Sequence, residues 1–236
     1  MPRDKKIRYA YSLAFILCEC VLLVLIETTG GRANDVISFL AIVLAFHFGA
    51  AHFFSGREYV LLSLALATTV LADWFLVMEN PEIRLPAMIS FSVTQICYFL
   101  SIYFAEDRPR VRLIHLSVRI PLFLLSIVLT FAVLGEGADA VSVISVSYFA
   151  NLICNVLFAF ISFKRRPVMA VGLLRFLLCD VFVGFSVLGE YLTVSEGTFA
   201  YFLAHPGFNA AWLFYVPAQT LLGLNVMIQH GKQKAE

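Results

Sequence analysis

Two carboxylates stand inside long apolar runs of this 236-residue chain. Asp73 lies in LATTVLADWFLVM, residues 66–78, and Asp180 in FLLCDVFVGF, residues 176–185. A carboxylate at membrane depth costs about 2.5–3.5 kcal/mol on insertion scales, so something must offset it. Two carboxyls in unequal surroundings can also take opposite roles, one protonated and one ionised. The pair therefore predicts one buried polar site.

Other polar residues fall in the same broad layer: Glu19, His47, Asn151, Asn155 and Arg175. Gln95 and Tyr98 in TQICYF, and Tyr215 and Gln219 in FYVPAQTLL, are three or four residues apart and share a helix face in each case. Lipid satisfies none of these groups, so they are expected to face inward and bond one another or trapped water. Arg175 needs a carboxylate. It stands about 140° round the helix from Asp180, which makes Glu19 or Asp73 the better partner. Each has a plainer reading as well. Asn151 and Asn155 bond neighbouring helices, His47 is a packed histidine, and His52 and Arg119 snorkel toward the inner face. Trp74 and Trp212 read as interface anchors.

The elements that must position these residues follow from composition. The chain is 61% hydrophobic and 14% charged, against about 25% charged in a soluble domain, and its mean hydropathy is +0.87. Eight apolar segments can be drawn, at 9–26, 36–54, 59–78, 85–104, 113–134, 140–163, 168–191 and 208–229. Each is near the roughly 20 residues that span a bilayer as a helix. The runs do not alternate, which excludes a closed β-barrel. The expectation is an all-α membrane protein, with residues 1–236 forming one transmembrane bundle. The amino-terminal run is too long for a secretory signal and lacks a small-residue cleavage site, so it reads as a first span that stays.

Charge sets the topology. One side carries Arg3, Lys5, Lys6, Arg8, Arg57, Arg108, Arg110, Arg112, Lys164, Arg165, Arg166, Lys232 and Lys234. The other carries Arg32 and Arg84 with the acids Asp35, Glu79, Glu82, Glu136, Asp139 and Glu196. Both termini are thus expected in the cytoplasm. The long outer link before the last segment, with Phe199, Tyr201 and Phe202, suits headgroup level. A weak repeat relates 1–104 to 113–229: it superposes Asp73 on Asp180, Leu66 on Leu173 and Phe75 on Phe182, and predicts two parallel four-helix halves.

Some chemistries are missing from the sequence. The five cysteines all lie in apolar runs and behave as small hydrophobes. No metal-ligand spacing, phosphate loop, dinucleotide fingerprint or nucleophile elbow occurs. The basic loops are too dispersed for nucleic acid. No metal and no cofactor is expected.

The segments VLADWFLV, FSVTQICYF, FLLCDVFVG and WLFYVPAQTLLGLN, in that order, resemble the signature segments of the YhhN family. These are bacterial membrane proteins similar to the animal lysoplasmalogenases. The chain departs from several members in carrying Gln95 where they have a histidine, so this position orients or binds and does not carry a proton. The resemblance implies a multi-pass protein of a bacterial cell membrane. It implies hydrolysis of the vinyl ether bond of lysoplasmenylcholine or lysoplasmenylethanolamine, yielding a fatty aldehyde and a glycerophospho-alcohol. The partners implied are this lysophospholipid and membrane lipids. Vinyl ethers hydrolyse by protonation at carbon and capture of the oxocarbenium ion by water. Asp73 and Asp180 then become the acid and anion pair, in either order. Gln95, Tyr98, Tyr215 and Gln219 would orient water and ether oxygen. Two other classes remain open on the residues alone: a small proton-coupled transporter, and a non-catalytic lipid-binding protein.

Overall fold

Continuous apolar runs leave a lipid-embedded backbone with only its own hydrogen-bond partners, so each run folds as a helix. The computed structural model describes residues 3–51, 53, 56–79 and 84–233. His52, Glu82 and Lys234 lie outside the described residues. The helices are α1 (Arg3–Thr28), α2 (Gly31–Ala50), α3 (Arg57–Asp73), α4 (Arg84–Ala105), α5 (Pro109–Leu134), α6 (Ala140–Ile161), α7 (Pro167–Leu188), α8 (Phe199–Ala204) and α9 (Ala210–Gln233). All but the six-residue α8 are long and apolar enough to cross a membrane. No strand occurs among the described residues.

Local chemistry sets the ends. Pro109 and Pro167 open α5 and α7, where a missing N–H is harmless. Asp139 and Ser142 form a capping box at α6: the Ser142 N–H donates to Asp139 Oδ1 at 2.7 Å, and the Asp139 N–H to Ser142 Oγ at 2.9 Å. The third span differs from the uninterrupted helix expected over 59–78. Its α-helix ends at Asp73 and continues as one π turn, Trp74–Met78, closed by the Glu79 N–H donating to the Trp74 carbonyl at 3.0 Å. Arg32 donates to the Met78 carbonyl at 3.0 Å, satisfying the end of that turn. The outer link contains α8, capped by Thr198, with Leu203 buried and Phe199 and Phe202 exposed.

Six helices close a ring in the order α2, α3, α4, α6, α7, α9, each packing on the next, and α3 also touches α9. The widest faces join α3 to α4 and α7 to α9. α1 lies outside against α2 and α9, and α5 outside against α6. These two keep rows of exposed aliphatics, among them Leu13, Leu17 and Val21 on α1 and Ile120, Leu124 and Val128 on α5. In lipid such a surface carries no penalty, and small residues set how closely helices approach. A Cβ built on Gly223 of α9 would stand 3.0 Å from the Ala45 carbonyl oxygen of α2, and one on Gly172 of α7 would stand 3.0 Å from Leu222 of α9.

At the end where α4 meets α5 and α6 meets α7, charges tie the links together. Glu106 is 2% exposed and accepts from Arg108 Nε and Nη2, both at 2.7 Å, and from Ser162 Oγ at 3.1 Å. Arg165 meets Asp107 at 2.6 Å. The Arg108 guanidinium, with the Arg108 and Ser162 hydrogen bonds, holds the Glu106 carboxyl down at about 2.

Two outcomes follow. Gly223→Ala is expected to cost about 1–3 kcal/mol, because a backbone carbonyl cannot move aside for the new methyl; chemical unfolding in detergent measures it. Glu106 titrates lower folded than unfolded, so its stabilisation is full above about pH 4.5 and fades as pH falls toward 2. Glu106→Gln should melt earlier at neutral pH and converge with the native protein near pH 2. Melting curves separated by the same interval at every pH would contradict this.

Candidate functional site

The carboxyl ends of α3 and α7 and the amino ends of α4, α6 and α9 enclose a cleft of about 630 Å3, with the last turns of α5 along one side. It lies at the end of the bundle away from Glu106. Asp73 and Asp180 both line it, from α3 and α7. Asp73 is 3% exposed, and the Tyr215 hydroxyl of α9 donates to its Oδ2 at 2.6 Å. Tyr215 is itself held by ring contacts to Phe176 at 5.4 Å and Trp212 at 5.5 Å between centroids. Asp180 is half-buried, with Oδ2 enclosed and without a hydrogen-bond partner among the described residues.

The rest of the wall is mostly apolar, with Leu76, Met88, Phe91, Phe149, Val181 and Trp212 among its members. The π turn bears on this arrangement. It follows Asp73 directly, and its Leu76 and Val77 join Asp73 on the cleft wall. Such turns are rare and concentrate at functional sites. The site therefore offers two carboxyls in different surroundings, a phenol bonded to one of them, and a largely apolar chamber of about 630 Å3.

The remaining expected site residues are divided by the fold. Gln95 is fully buried but turns away from the cleft: its Oε1 and backbone carbonyl accept from Asn155 Nδ2 at 2.8 and 2.9 Å. Asn155 Oδ1 accepts from Arg119 Nη2 at 2.9 Å, and Asn151 Oδ1 accepts from Arg119 Nη1. Arg119 also stands over the Phe99 ring, 4.2 Å from its centroid. Gln95, Asn151 and Asn155 thus belong to a second polar set that joins α4, α5 and α6. Tyr98 is buried with its hydroxyl unpartnered among the described residues, and it too is off the cleft wall. Gln219 is buried one turn beyond Tyr215, its amide unpartnered among the described residues.

Three expectations are corrected. Arg119 does not snorkel; it is 9% exposed and bound to the two asparagines. Arg175 is half-buried, and among the described residues it forms no salt bridge with Glu19 or Asp73. His47 is exposed on α2 and turned away from the interior. Glu19 is buried as expected, with both carboxyl oxygens unpartnered among the described residues, but α1 does not reach the cleft. Trp212 forms cleft wall as well as packing on Tyr215, and Trp74 is exposed and donates to Glu79 at 3.2 Å.

The sequence reading missed His115, Cys179 and Thr94. His115 is fully buried and stacked on Phe158 with centroids 3.5 Å apart, four residues before Arg119 on one face of α5. That spacing was the available signal. Cys179 lines the cleft beside Asp180. Thr94 of α4 meets Thr68 of α3 at 2.8 Å. Among the described residues, no group of three or more His, Cys, Asp or Glu is placed to hold a metal ion.

Eight apolar helices of membrane length, six of which line a carboxyl-bearing cleft, define an integral, multi-pass membrane protein. The chain belongs to the YhhN family, whose model matches residues 34–226. No curated protein and no solved structure matches it.

The second polar set generates its own prediction. Arg119→Met removes the donor that both asparagine carbonyls use, at about 1.5–3 kcal/mol per bond to a charged group. Unfolding in detergent should show a loss of at least that size, partly restored in Arg119→Lys. A loss near zero would mean that water replaces the guanidinium at no cost.

Proposed function

We propose that this protein is a membrane-embedded hydrolase that cleaves the vinyl ether bond of lysoplasmalogen. The observation that carries the reading is the placement of Asp73 and Asp180 on one largely apolar cleft of about 630 Å3. Membership of the YhhN family supports it.

Asp180 and Asp73 take unlike roles. The Tyr215 hydroxyl is a fixed donor to Asp73, and an accepted hydrogen bond stabilises a carboxylate. Asp73 is therefore the anion. Asp180, without a donor among the described residues, is the acid. Asp180 delivers its proton to the carbon of the vinyl ether remote from oxygen, leaving an oxocarbenium ion that the Asp73 carboxylate stabilises. Water adds to the oxygen-bearing carbon as Asp73 takes its proton. The hemiacetal collapses with Asp73 returning that proton to the departing glycerol oxygen and Asp180 accepting the hydroxyl proton. The products are a fatty aldehyde and a glycerophospho-alcohol, and both carboxyls are restored. The apolar wall holds the single alkyl chain. Gln219, Gln95, Tyr98, Asn151, Asn155, Arg175, Glu19 and His47 lie off the cleft wall and are left without a role in this scheme.

The basic links α4–α5 and α6–α7 support a topology with their end of the bundle, and both termini, in the cytoplasm. The cleft then opens toward the outer leaflet. The family's bacterial members make a bacterial cell membrane the setting. The two halves, 1–104 and 113–229, form parallel repeats. α3–α4 packing matches α7–α9, and α4–α6 matches α9–α2.

Purified protein incubated with lysoplasmenylethanolamine should release aldehyde, detected as its hydrazone. Asp73→Asn and Asp180→Asn should each lower the rate by about 10²–10⁴-fold with folding intact. Tyr215→Phe should lower it less. Folded protein that releases no aldehyde would sink the hydrolase reading.

A further inference from the structure

The mouth of the cleft carries an ion pair for which the proposed chemistry has no use. Arg84, the first residue of α4, lines the cleft, and its Nη1 and Nη2 donate to Glu190 Oε2 and Oε1 at 2.5 and 2.8 Å. Glu190 sits in the turn after α7, and the next two residues, Tyr191 and Leu192, also line the cleft. Both side chains remain open to solvent, 34% exposed for Arg84 and 50% for Glu190. The Arg84 guanidinium holds the Glu190 carboxyl below its ordinary range.

Position and charge together suit a lipid headgroup. Asp180 lies eight residues before Leu188 on α7, about 12 Å along the axis, so the pair stands roughly a headgroup and glycerol above the reacting carboxyls. From Arg84, Met88 and Phe91 continue the α4 wall inward, an apolar track below a charged rim. A guanidinium is suited to phosphate by its bidentate fork. Exposed ion pairs contribute little to stability, so a ligand that supplies both charges can open this one readily.

We propose that Arg84 and Glu190 read the headgroup, Arg84 taking the lipid phosphate and Glu190 its ammonium. This rests on the cleft being a lysolipid site. A zwitterionic head exchanges one ion pair for two and leaves no charge uncompensated. An anionic head draws Arg84 away and leaves Glu190 beside a negative ligand, which like-charge repulsion disfavours. The pair is thus a selectivity device set apart from the chemistry.

The test uses lysophospholipids with a saturated alkyl ether chain, which the protein cannot hydrolyse, bearing ethanolamine, choline or glycerol heads. Binding to the full-length protein in nanodiscs is followed by native mass spectrometry. The native protein should favour the two zwitterionic heads over glycerol by about tenfold or more. Glu190→Gln should abolish the preference by raising affinity for the glycerol head. Arg84→Gln should weaken all three heads. If Glu190→Gln does not fold, Glu190→Asp keeps the charge with a shorter reach and should reduce the preference. An unchanged headgroup order in the Glu190 variants, or equal weakening of every head by both substitutions, overturns the inference and leaves a structural tie between α4 and α7. Selective binding without aldehyde release from the vinyl ether lipid would sink the hydrolase reading alone; release without headgroup preference would sink only this one.

Discussion

The hydrogen bond from Tyr215 to Asp73 is the constraint on which the site depends. A carboxyl at this depth is costly and a polar partner offsets the cost; for Asp73 the donor comes from α9, the helix that packs most widely on α7 and also borders α2 and α3. Tyr215 is steered by Phe176 of α7 and by Trp212 one turn earlier. The contact therefore registers three helices at once: α3 through Asp73, α9 through the phenol and α7 through the ring beneath it. Asp180 follows Phe176 by one turn on α7, so the same registration brings the second carboxyl to the cleft. The π turn after Asp73 then carries Leu76 and Val77 onto the same wall.

Two sets of deep polar groups stand apart in this bundle, and their partners explain the division. Among the described residues Arg119 meets no carboxylate; its charge is met by two asparagine carbonyls and the face of Phe99. A buried guanidinium satisfied in this way is a tie between helices α5 and α6, extended to α4 through Gln95. It holds the otherwise peripheral α5 to the ring, and the last turns of α5 form the outer wall of the cleft. The second set thus shapes the cleft without entering it.

Hydropathy made the eight spans legible, and the isolated acids made Asp73 and Asp180 legible as residues of one site. Depth along a helix follows from residue number, and both acids fall near the same level. Rotation about the helix axis does not follow in the same way, because 61% hydrophobic content blurs any inward stripe. Gln95 and Tyr215 both read as groups that orient water and ether oxygen, yet one bonds Asn155 and the other Asp73. For the same reason His47 read as interior and is exposed, while Arg119 read as a snorkelling end group and is enclosed. The π turn left no trace in sequence, since WFLVM continues an α-helix as well as any apolar text. Pairing was equally hidden: Arg84 read only as one of two basic residues on the acidic side, and its partner Glu190 lies 106 residues away.

Helix packing is alike on the two sides of the ring, while the side chains that reach the cleft differ. α3 lies on α4 as α7 lies on α9, and the ring closes through α4–α6 on one side and α9–α2 on the other. Against that regular frame, the helix beside each acid presents different side chains to the cleft. From α9 comes Tyr215, a hydroxyl donor; from α4, past the rim, come Met88 and Phe91, which have no donor to give. Two close carboxyls in equal surroundings share one proton that belongs to neither, whereas an unequal donor fixes which of them holds it. A phenol on one side, and a thioether with a plain ring on the other, make the surroundings unequal with the helix packing kept. In the proposed reaction, the unlike roles of Asp73 and Asp180 then rest on the hydroxyl that Tyr215 supplies.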